Sequence, residues 1–487
     1  MNEPRFSPII DKIHNGPSPI TLFNSLKRYP YAFFLDSASD YDKLGRFSFL
    51  GCDPFLVFKS KKDSIALEWQ DGKKETKKSD PFQALKEIFK RYDVLTPAEG
   101  IPFTSGAVGY FAYDMKDLVE NLPDSSADDL NLPDCILGFY DVVIIYDNLE
   151  RSAYIASSGL PHTGSLGNDR RKAERLREFK NRLSSHSKDK RPVFIPRPLS
   201  LESNFSKASY VEIIEKAKAY IKKGDIYQVN LSQRFQTEFG MDTAELYLRL
   251  RDYSPAPFSS YLDFKDVAIL SSSPERFLMK RGSYIETRPI KGTRPRGEDE
   301  RSDFSLEKEL LASQKDRAEH IMIVDLERND LGRVCEYGSV KPTEFVILEK
   351  YSNVFHLVST VSGRLKKGAG PIDCLLAAFP GGSITGAPKI RAMEIIEELE
   401  NVKRSVYTGA VGYISFDGNM DTSIVIRTFL IKGKDVYFSV GGGIVADSVP
   451  EREYEETIYK ARGLMQALGF GRGMVPSHIK EREFLAT

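Results

Sequence analysis

Two segments in opposite halves of this chain are nearly identical, and both have the character of a buried β-strand. GAVGYFAYD occupies residues 106–114 and GAVGYISFD occupies residues 409–417. Earlier in each half, YAFFLDS followed by GCDPFLVF resembles SSYLDF followed by SSSPERFLMK, in the same order. Runs of this length, rich in aliphatic and aromatic residues, are typical of strands. Either similar buried strands have converged, or the chain contains a duplicated α+β unit with two sheets built alike.

Helix patterns are clearest in the second half of the chain. Ser209 and Glu212 have the spacing of a capping box, and Gly224 can end the helix that follows. We expect a further helix at about 316–330 and a last one at about 450–468, where a glycine follows.

The character of the sequence changes between residues 157 and 205. This stretch holds a turn-rich segment, the charged helix pattern RRKAERLREFKNRL and a polar connector with prolines. We therefore divide the chain into an N-terminal domain at 1–156, a connector at 157–205, a second domain at 206–468 and a C-terminal tail at 469–487.

The charges of the chain balance, with 69 Lys plus Arg against 69 Asp plus Glu. A general nucleic-acid binder and a polybasic membrane anchor both need excess positive charge, so we expect neither kind of partner. No apolar run approaches the ~20 residues that span a bilayer, and the first residues lack the apolar core of a signal peptide. The four cysteines form no CxxC motif, which predicts reduced thiols and a cytoplasmic protein.

Two acidic pairs with helical spacing are the sharpest chemical signal. Asp316 and Glu319 are three positions apart, as are Glu453 and Glu456, and Lys460 follows one turn after Glu456. Spacing of three places each pair on one helix face. If the two helices meet, four carboxylates converge and need a hard dication such as Mg²⁺. The alternative from spacing alone is a pair of solvated helix faces with salt bridges.

Two glycine-rich segments favour close approach to a small anion. FPGGSITGAPK at 379–389 leads into a helix start at Pro388, where free N–H groups attract negative charge. It is not a Walker A loop, because Lys389 follows a proline and Ile390 stands where serine or threonine is required. SVGGGIVAD at 439–447 is a strand that runs into a turn. A small carboxylate fits both segments, and so do simple tight turns.

Lys291 and Glu275 are candidates for covalent and acid–base chemistry. Lys291 lies among three arginines in ETRPIKGTRPRG, and nearby positive charge helps to keep a lysine neutral and nucleophilic. A surface cation is the plainer explanation. A pyridoxal-phosphate role lacks a phosphate loop with a matching acid. Glu275 stands where a turn meets an apolar strand, so burial could suit it to general-acid work, or it could simply face water.

His356 and Arg427 interrupt apolar strand patterns. His356 lies in YSNVFHLVST, where a lone histidine is more often a core residue than a catalytic one. Arg427 lies in TSIVIRTF, and an arginine so placed needs an anionic partner, either a structural carboxylate or a substrate.

Together these segments resemble the chorismate-utilising enzymes, which include the first components of anthranilate synthase and aminodeoxychorismate synthase as well as isochorismate and salicylate synthases. The resemblance covers about 206–468, and the N-terminal part is similar to the scaffold portion of the amino-transferring members. Its motifs are PIKGTRPRG, DRAEHIMIVDLERNDLG, FPGGSITGAPKIRAMEII, YTGAVGYIS, IVIRTF and VGGGIVADSVPEREYEET. It implies an α+β fold of two large, mostly antiparallel sheets, packed together and flanked by helices.

The resemblance also implies roles for matching residues. Glu319 and Glu456 are expected to bind Mg²⁺ directly, with Asp316 and Glu453 acting through water, and the ion would hold the ring carboxylate of chorismate. Glu275 matches the general acid that helps the 4-hydroxyl to leave. The remaining matches are a histidine that orients this leaving group, a hydroxyl beside the ring and five positions that bind the substrate carboxylates: His356; Ser383; and Tyr407, Arg427, Gly441, Gly443 and Lys460.

Two positions distinguish the subfamilies. Isochorismate and salicylate synthases carry a lysine base where this chain has Gln228, and anthranilate synthases read PIAGT where it reads PIKGT. Lysine at that place is the mark of aminodeoxychorismate synthase component I, which implies a covalent intermediate on Lys291 and 4-amino-4-deoxychorismate as the product. The alternatives are anthranilate synthase component I and a non-catalytic chorismate or tryptophan sensor. LDSAS at 35–39 is similar to a tryptophan-site segment, but Asp36 departs from it.

The source of ammonia is expected to be another protein. No cysteine lies in the G-x-C-x-G turn of a glutamine amidotransferase, since the contexts read GCD, DCI, VCE and DCL. We therefore predict a separate glutaminase subunit as partner, and use of ammonium but not glutamine by the isolated chain.

Overall fold

The strand patterns of both halves form two large sheets. The structure, a computed structural model, describes residues 7–14, 17–39, 42–92, 94–95, 100–184, 200–351, 354–471 and 480–481. Within these ranges every strand pairing is antiparallel except that of β11 with β25. The predicted fold class, α+β with two large, mostly antiparallel sheets, is confirmed.

The first sheet, sheet A, is built from both ends of the chain. Its strands run in the order β1 (Ile9–Ile13), β10 (Ser152–Ser157), β9 (Val142–Asp147), β3 (Phe47–Gly51), β2 (Phe33–Asp36), β13 (Phe258–Asp263), β14 (Val267–Ser273), β23 (Thr428–Lys432), β24 (Asp435–Ile444), β12 (Gln228–Glu238), β11 (Glu202–Ser203) and β25 (Lys480–Glu481), with β20 (Gly386–Ala387) beside β12.

The second sheet, sheet B, is also built from strands of both ends of the chain. Its strands run in the order β17 (Ile290–Pro295), β19 (Val354–Arg364), β16 (Tyr284–Arg288), β15 (Arg276–Arg281), β22 (Met420–Ile424), β21 (Ala410–Ser415), β7 (Gly106–Phe111), β8 (Cys135–Tyr140), β4 (Leu56–Lys61), β5 (Ser64–Trp69) and β6 (Lys74–Lys78), with β18 (Lys341–Lys350) also paired to β19.

Helices cover the outer faces of both sheets. They are α1 (Pro19–Leu26), α2 (Pro81–Arg91), α3 (Ser165–Ser184), α4 (Lys207–Lys223), α5 (Thr243–Tyr253), α6 (Glu300–Ala312), α7 (Gln314–Val334), α8 (Pro371–Ala378), α9 (Lys389–Leu399) and α10 (Pro450–Leu468). One apolar core lies between sheets A and B, a second joins sheet A to α1, α3, α5 and α10, and a third joins sheet B to α2, α7 and α8. The four layers bury the inner faces of both sheets away from water, which is the main stabilisation of such a fold.

The two repeated segments are neighbouring strands. β7 pairs with β21, so that Gly109 faces Gly412, and β2 pairs with β13 in the other sheet. Outward from these two joins the strand order is the same on both sides: β2-β3-β9-β10-β1 against β13-β14-β23-β24-β12, and β7-β8-β4-β5 against β21-β22-β15-β16. Since chain order is also retained, the arrangement supports a duplicated unit over convergence.

The glycines of the repeat allow close backbone approach across and beside the join. A Cβ atom on Gly106 would lie 2.3 Å from the Ile414 carbonyl oxygen, and one on Gly409 would lie 2.1 Å from that of Phe111. These two contacts are equivalent, because Ile414 and Phe111 hold the same place in the two segments. Close packing at the join therefore accounts for the first glycine of each segment.

The predicted domain boundaries stay predictions, and both sheets are continuous across them. In the connector, the charged pattern forms α3 as expected, and Phe179 and Leu183 pack against the core outside sheet A. Residues 185–199, and most of the tail at 469–487, lie outside the described ranges.

Several element boundaries match the sequence and one does not. α10 ends at Gly469 and α4 ends at Gly224, both with positive φ, as expected. The predicted cap of α4 at Ser209 is wrong, because Ser206 caps the helix and accepts the Ser209 N–H at 3.1 Å. The four cysteine side chains are buried free thiols. Searching the described helices for a stretch long and apolar enough to cross a membrane yields none.

Candidate active site

The predicted site residues come together where β24 meets α10 and where α7 passes β17. Gly441 and Gly443 lie on β24, Lys291 lies on β17, and the acidic pairs lie on α7 and α10. The segment that carries Ser383 is a 3₁₀ turn at Gly382–Ile384, between α8 and β20. The geometry of this junction decides which of the sequence predictions share one site.

The carboxylates of α10 converge above the glycines of β24. A Cβ atom on Gly442 would lie 3.5 Å from Glu453 Oε2, 3.7 Å from Glu456 Oε1 and 3.9 Å from Lys460 Nζ. Lys460 pairs with Glu456 at 2.7 Å and donates a hydrogen bond to the Gly441 carbonyl at 2.9 Å. The absent side chain at 442 thus leaves a small space bounded by two carboxylates and one ammonium group.

The carboxylates of α7 face this space from the other side. Burial raises the pKa of Glu319, opposed mainly by Lys291, and Glu453 contributes a further repulsion. Burial also raises the pKa of Glu453, whereas Lys460 lowers the pKa of Glu456. Asp316 is engaged by Arg294 at 3.1 Å. The predicted meeting of two acidic helix faces is therefore present as an electrostatic contact.

This donor set suits magnesium in its chemistry. Carboxylate oxygens from two facing helices are the hard ligands that Mg²⁺ prefers, and substrate oxygens usually complete its shell. As the side chains stand, however, no three acidic, histidine or cysteine residues within the described part of the chain are placed to hold a metal ion. Ammonium groups hold two of the carboxylates instead, Lys460 at Glu456 and Lys315 at Glu319, the latter at 3.9 Å. Magnesium stays a prediction.

Lys291 points into the same junction. A Cβ atom on Gly443 would lie 3.2 Å from Lys291 Nζ and 2.9 Å from Gln228 Nε2. The pKa of Lys291 is lowered, because surrounding protein desolvates the ammonium group and Lys460 adds repulsion, against an opposing attraction from Glu319. A lowered pKa increases the fraction of free amine, which is the nucleophilic form.

Gln228 is the neighbour of Lys291 that bears most on the chemistry. Its side chain is fully buried, and neither its amide nitrogen nor its amide oxygen has a hydrogen-bond partner in the described residues. An unsatisfied buried amide costs free energy unless a ligand supplies the missing bonds. Its place beside the Lys291 amine makes it a candidate contact for substrate or ammonia.

Glu275 lies at the start of β15 and is almost completely buried. Burial raises its pKa to about 7, while hydrogen bonding with the Ser383 side chain, and the charge of Lys291, oppose the rise. A carboxyl group with a pKa near neutrality can hold a proton at physiological pH and release it to a leaving group. The role of Glu275 as the general acid stays a prediction.

His356 is buried on β19 in a neutral form. Its Nδ1 shares a hydrogen bond of 3.0 Å with the Thr293 hydroxyl, and its Nε2 has no partner among the described residues. Burial, reinforced by Arg427, lowers its pKa to about 3. A neutral imidazole with one free nitrogen can orient a hydroxyl but does not supply a charge.

Arg427 is a cation without a structural carboxylate. Its backbone has φ of 50°, between β22 and β23, and within the described ranges no acidic side chain forms an ion pair with it. Its pKa is lowered by burial, against attraction from Tyr351, Tyr459 and Glu275. Its role in binding a substrate carboxylate stays a prediction.

Tyr407 is another residue predicted to bind a substrate carboxylate. Its half-buried side chain stands beside Arg404, whose guanidinium carbon is 6.0 Å from the ring centroid. Burial raises the pKa of its hydroxyl. Its role in binding a carboxylate stays a prediction.

The sequence reasoning missed two buried side chains on the inward face of α7. His320 shares a hydrogen bond of 2.6 Å with Ser359, and Glu327 accepts one of 2.8 Å from the Gly382 N–H. The signal was available, because both positions continue the helical stripe that passes through Asp316 and Ile323.

One cavity of the protein is lined by none of the predicted site residues. It has a volume of about 530 Å³ and lies beside the strand that follows Glu275, reaching to Lys43 and Arg288. Both cations are paired with Glu344 and Glu349, so the cavity offers paired charges. Nearby, Asp36 is buried and engaged by Tyr247 at 2.9 Å and by Arg251 at 2.5 Å.

The family model described as chorismate binding enzyme matches residues 31–466. That range contains every site residue considered above. This chain belongs to the chorismate binding enzyme family.

Relatives within the chorismate binding enzyme family carry two different names. Anthranilate synthase component 1 of Aquifex aeolicus is 42% identical over 462 residues, which are 93% of this chain and 92% of that protein. Aminodeoxychorismate synthase component 1 of Escherichia coli is 40% identical over 448 residues, which are 92% of this chain and 95% of that protein. Overall identity therefore does not distinguish these two activities.

A solved member of the family has the same fold. The crystal structure of anthranilate synthase component I from Streptococcus pneumoniae superposes with a TM-score of 0.77 at 31% identity, and the match covers 95% of this chain and 99% of that one. The two-sheet architecture is thus that of the chorismate binding enzymes.

Proposed function

We propose that this chain is the first component of an aminodeoxychorismate synthase, which converts chorismate and ammonia into 4-amino-4-deoxychorismate for 4-aminobenzoate and folate synthesis. The observation that carries the proposal is the state of the Lys291 amine. Its pKa is lowered, and its nitrogen lies 3.2 Å from the place that a Cβ atom on Gly443 would take. Of the two activities named among the relatives, only this one uses a lysine at that place, according to the subfamily pattern described above.

Substrate binding would use the cations that the protein leaves available. Chorismate carries two carboxylates, and Arg427 has no acidic partner among the described residues, while Lys460 is held by Glu456 and a backbone carbonyl. Mg²⁺ bound by Glu319 and Glu456, with Asp316 and Glu453 behind them, would polarise and fix the ring carboxylate. Tyr407 and the N–H groups of Gly441 and Gly443 would complete the contacts.

The first chemical step would form a covalent intermediate. The free amine of Lys291 attacks ring carbon 2, both ring double bonds shift by one position, and the bond from carbon 4 to its hydroxyl breaks. Glu275 donates its proton, so the hydroxyl leaves as water, and the neutral His356 orients it. A carboxyl with a pKa of about 7 is protonated often enough for this role.

The second step would reverse the first with a different nucleophile. Ammonia attacks carbon 4, the double bonds return, and the Lys291 nitrogen leaves carbon 2. The Glu275 carboxylate accepts a proton from the added ammonia, and the lysine nitrogen, which kept both of its protons in the intermediate, leaves as the free amine. The balance is chorismate plus ammonia giving aminodeoxychorismate plus water. The unsatisfied amide of Gln228 is placed to contact the nucleophile, and, unlike a lysine base, it does not activate water.

The ammonia would come from a separate glutaminase subunit. The term component 1 in the names of both relatives implies a second component. All four thiols of this chain are buried and free, a state that suits a cytoplasmic enzyme but not a cysteine nucleophile.

Anthranilate synthase component I is the second candidate, since the Aquifex relative of that name is 42% identical. Incubation of the purified chain with chorismate, Mg²⁺ and ammonium, followed by chromatographic separation, distinguishes the two. We expect aminodeoxychorismate, and no turnover when glutamine replaces ammonium. Anthranilate or isochorismate as the main product would overturn the proposal. An absence of turnover would favour the third alternative, a non-catalytic chorismate or tryptophan sensor.

A further inference from the structure

Glu327 is a buried carboxyl group that the proposed mechanism does not use. It lies on the inward face of α7, two turns beyond Glu319, and only 2% of the residue is exposed to solvent. Its Oε1 accepts a hydrogen bond of 2.8 Å from the Gly382 N–H, and its Oε2 has no partner in the described part of the chain. This contact joins α7 to the turn that carries Ser383.

Within the described residues no ion pair neutralises a negative charge on Glu327. Lys389, whose charge attracts it, is bound to Asp330 at 2.5 Å and to the carbonyls of Ala378 and Pro380 at 3.0 and 2.7 Å. Burial and the charge of Asp330 together raise the pKa of Glu327 to about 8, against the attraction of Lys389. The group is therefore mainly protonated at neutral pH.

The Gly382 turn has little freedom to move against α7. A Cβ atom on Gly382 would lie 2.8 Å from Leu326 Cδ2 and 3.0 Å from Glu327 Oε1. The Thr385 hydroxyl donates to the Gly381 carbonyl at 2.9 Å and closes the turn. The next residue after Gly382 is Ser383, whose side chain is hydrogen-bonded with Glu275.

We propose that Glu327 is a positioning residue: its carboxyl group fixes the Gly382 peptide and thereby keeps the Ser383 hydroxyl on the Glu275 carboxyl group. This inference rests on the proposed role of Glu275 as the general acid. Among the described residues its hydrogen bond is to the Gly382 N–H, so it acts through the turn.

Charge provides a second link between the two acids. The groups that face Glu327 are Asp330 on its own helix, Lys389 on α9 and Glu275 at the start of β15. Those that face Glu275 also include Lys291 and Arg427. Because Glu275 has the lower pKa of the two, it ionises first, and its charge then raises the pKa of Glu327.

Two substitutions of Glu327 separate these effects. Glu327→Gln keeps the acceptor for the Gly382 N–H but cannot ionise, and Glu327→Met keeps the size but removes the acceptor. Asp134 provides matched controls, because it is buried, it accepts the Lys62 N–H at 2.7 Å, and it belongs to the N-terminal half. The controls are Asp134→Asn and Asp134→Leu.

We measure ammonium-dependent chorismate turnover against pH, together with the melting temperature of each variant. For Glu327→Met we expect kcat to fall roughly tenfold with KM for chorismate changed less than about threefold, the loss that one buried hydrogen bond implies. For Glu327→Gln we expect kcat at pH 7 within about twofold of the parent and an alkaline limb at the parental pH, because Glu327 is still mainly protonated where Glu275 titrates. The Asp134 variants should change the melting temperature alone.

Three results would overturn the inference: a parental kcat in Glu327→Met, a kcat in Glu327→Gln as low as that in Glu327→Met, or equal kcat losses in the Asp134 and Glu327 variants. Failure of the proposed function looks different. If the parent forms another product, or if Glu275→Gln retains full activity, the proposed function has failed. Even then, comparing the turnover of Glu327→Met with that of Glu327→Gln shows whether the hydrogen bond to the Gly382 N–H is needed for turnover.

Discussion

At the scale of single residues, the site depends on groups whose protonation differs from that of the free amino acids. Lys291 is shifted towards the free amine, Glu275 towards the carboxylic acid and His356 towards neutral imidazole. In each case burial is the first cause. Such shifts are what the proposed mechanism requires of its nucleophile, its acid and its hydrogen-bonding group.

Removal of the Lys291 amine tests the nucleophile directly. For Lys291→Ala we expect aminodeoxychorismate formation to fall by roughly 100-fold or more, because covalent catalysis is lost. Lys222→Ala, in the exposed last turn of α4, is the matched control and should retain the parental rate. The product is quantified by chromatography, and an unchanged rate in Lys291→Ala would refute the nucleophile role.

The raised pKa of Glu275 also predicts a change in stability with pH. An unfolded glutamate titrates at about 4.3, whereas burial raises the pKa of Glu275 to about 7 in the folded protein. Between these values the folded state holds a proton that the unfolded state has lost, so this group lowers the free energy of unfolding as pH rises.

Glu275→Gln removes that penalty. We expect the variant to gain about 3 kcal/mol over the parent as pH rises from 4 to 8, by denaturant unfolding of the substrate-free protein. A difference in unfolding free energy that does not vary with pH would contradict the assignment.

The site was only partly predictable from single residues. Three candidates stood out because each is a charged residue at a turn or inside an apolar strand pattern: Glu275, Lys291 and Arg427. The resemblance supplied their roles. Glu327 did not stand out, since a glutamate on a charged helix normally faces water. Glu327 is distinguished by the hydrogen bond that it accepts from the Gly382 N–H. Gly382 lies on another segment, so the spacing of residues along α7 could not reveal this contact.

At the scale of elements, the site depends on α7 and α10 presenting acids to each other across the glycines of β24. The extent of α10 was predicted to the residue, because proline and glycine bound it. α7 is longer than the predicted 316–330, since its start at Gln314 depends on a Ser313 cap that follows closely on α6. Spacing showed that each pair shares a helix face but not that the two faces meet.

Magnesium should depend on both helices. For the double variant Glu319→Gln/Glu456→Gln we expect the Mg²⁺ concentration for half-maximal turnover to rise by at least about 100-fold, because each helix loses a proposed ligand. Glu451→Gln, on the exposed first turn of α10, is the control. Removal of Mg²⁺ by a chelator should stop turnover of the parent reversibly. Turnover that survives chelation would exclude the metal role.

At the scale of the whole molecule, the two halves are joined by hydrogen bonds in both sheets. The fold class followed from the strand patterns and the resemblance, but the joins did not. A repeated strand can pair with its copy or lie in a separate sheet, and the sequence pattern is the same in both cases. Packing at the joins decides, and it uses the glycines that make the repeat visible.

Equivalent glycines beside the join should have equivalent effects. A Cβ atom would lie 1.9 Å from the Ile136 carbonyl oxygen at Gly109 and 2.1 Å from that of Asp421 at Gly412. We expect Gly109→Ala and Gly412→Ala each to destabilise the protein by about 2–4 kcal/mol, as overpacking against backbone does. Gly332→Ala, on exposed α7 backbone with open space, should be neutral or slightly stabilising.

Thermal or denaturant unfolding provides the measurement. A strong effect at one of the two glycines with none at the other would contradict their equivalence.

The two joins also determine the order in which a nascent chain can finish folding. As the polypeptide leaves the ribosome, β2 and β7 emerge with unpaired edges, and their partners follow only at 258–263 and 410–415. Open edges attract other strands, so the half-made protein is exposed to misassembly until nearly the whole chain has been translated. A chaperone that shields strand edges would therefore benefit this enzyme during synthesis more than after it.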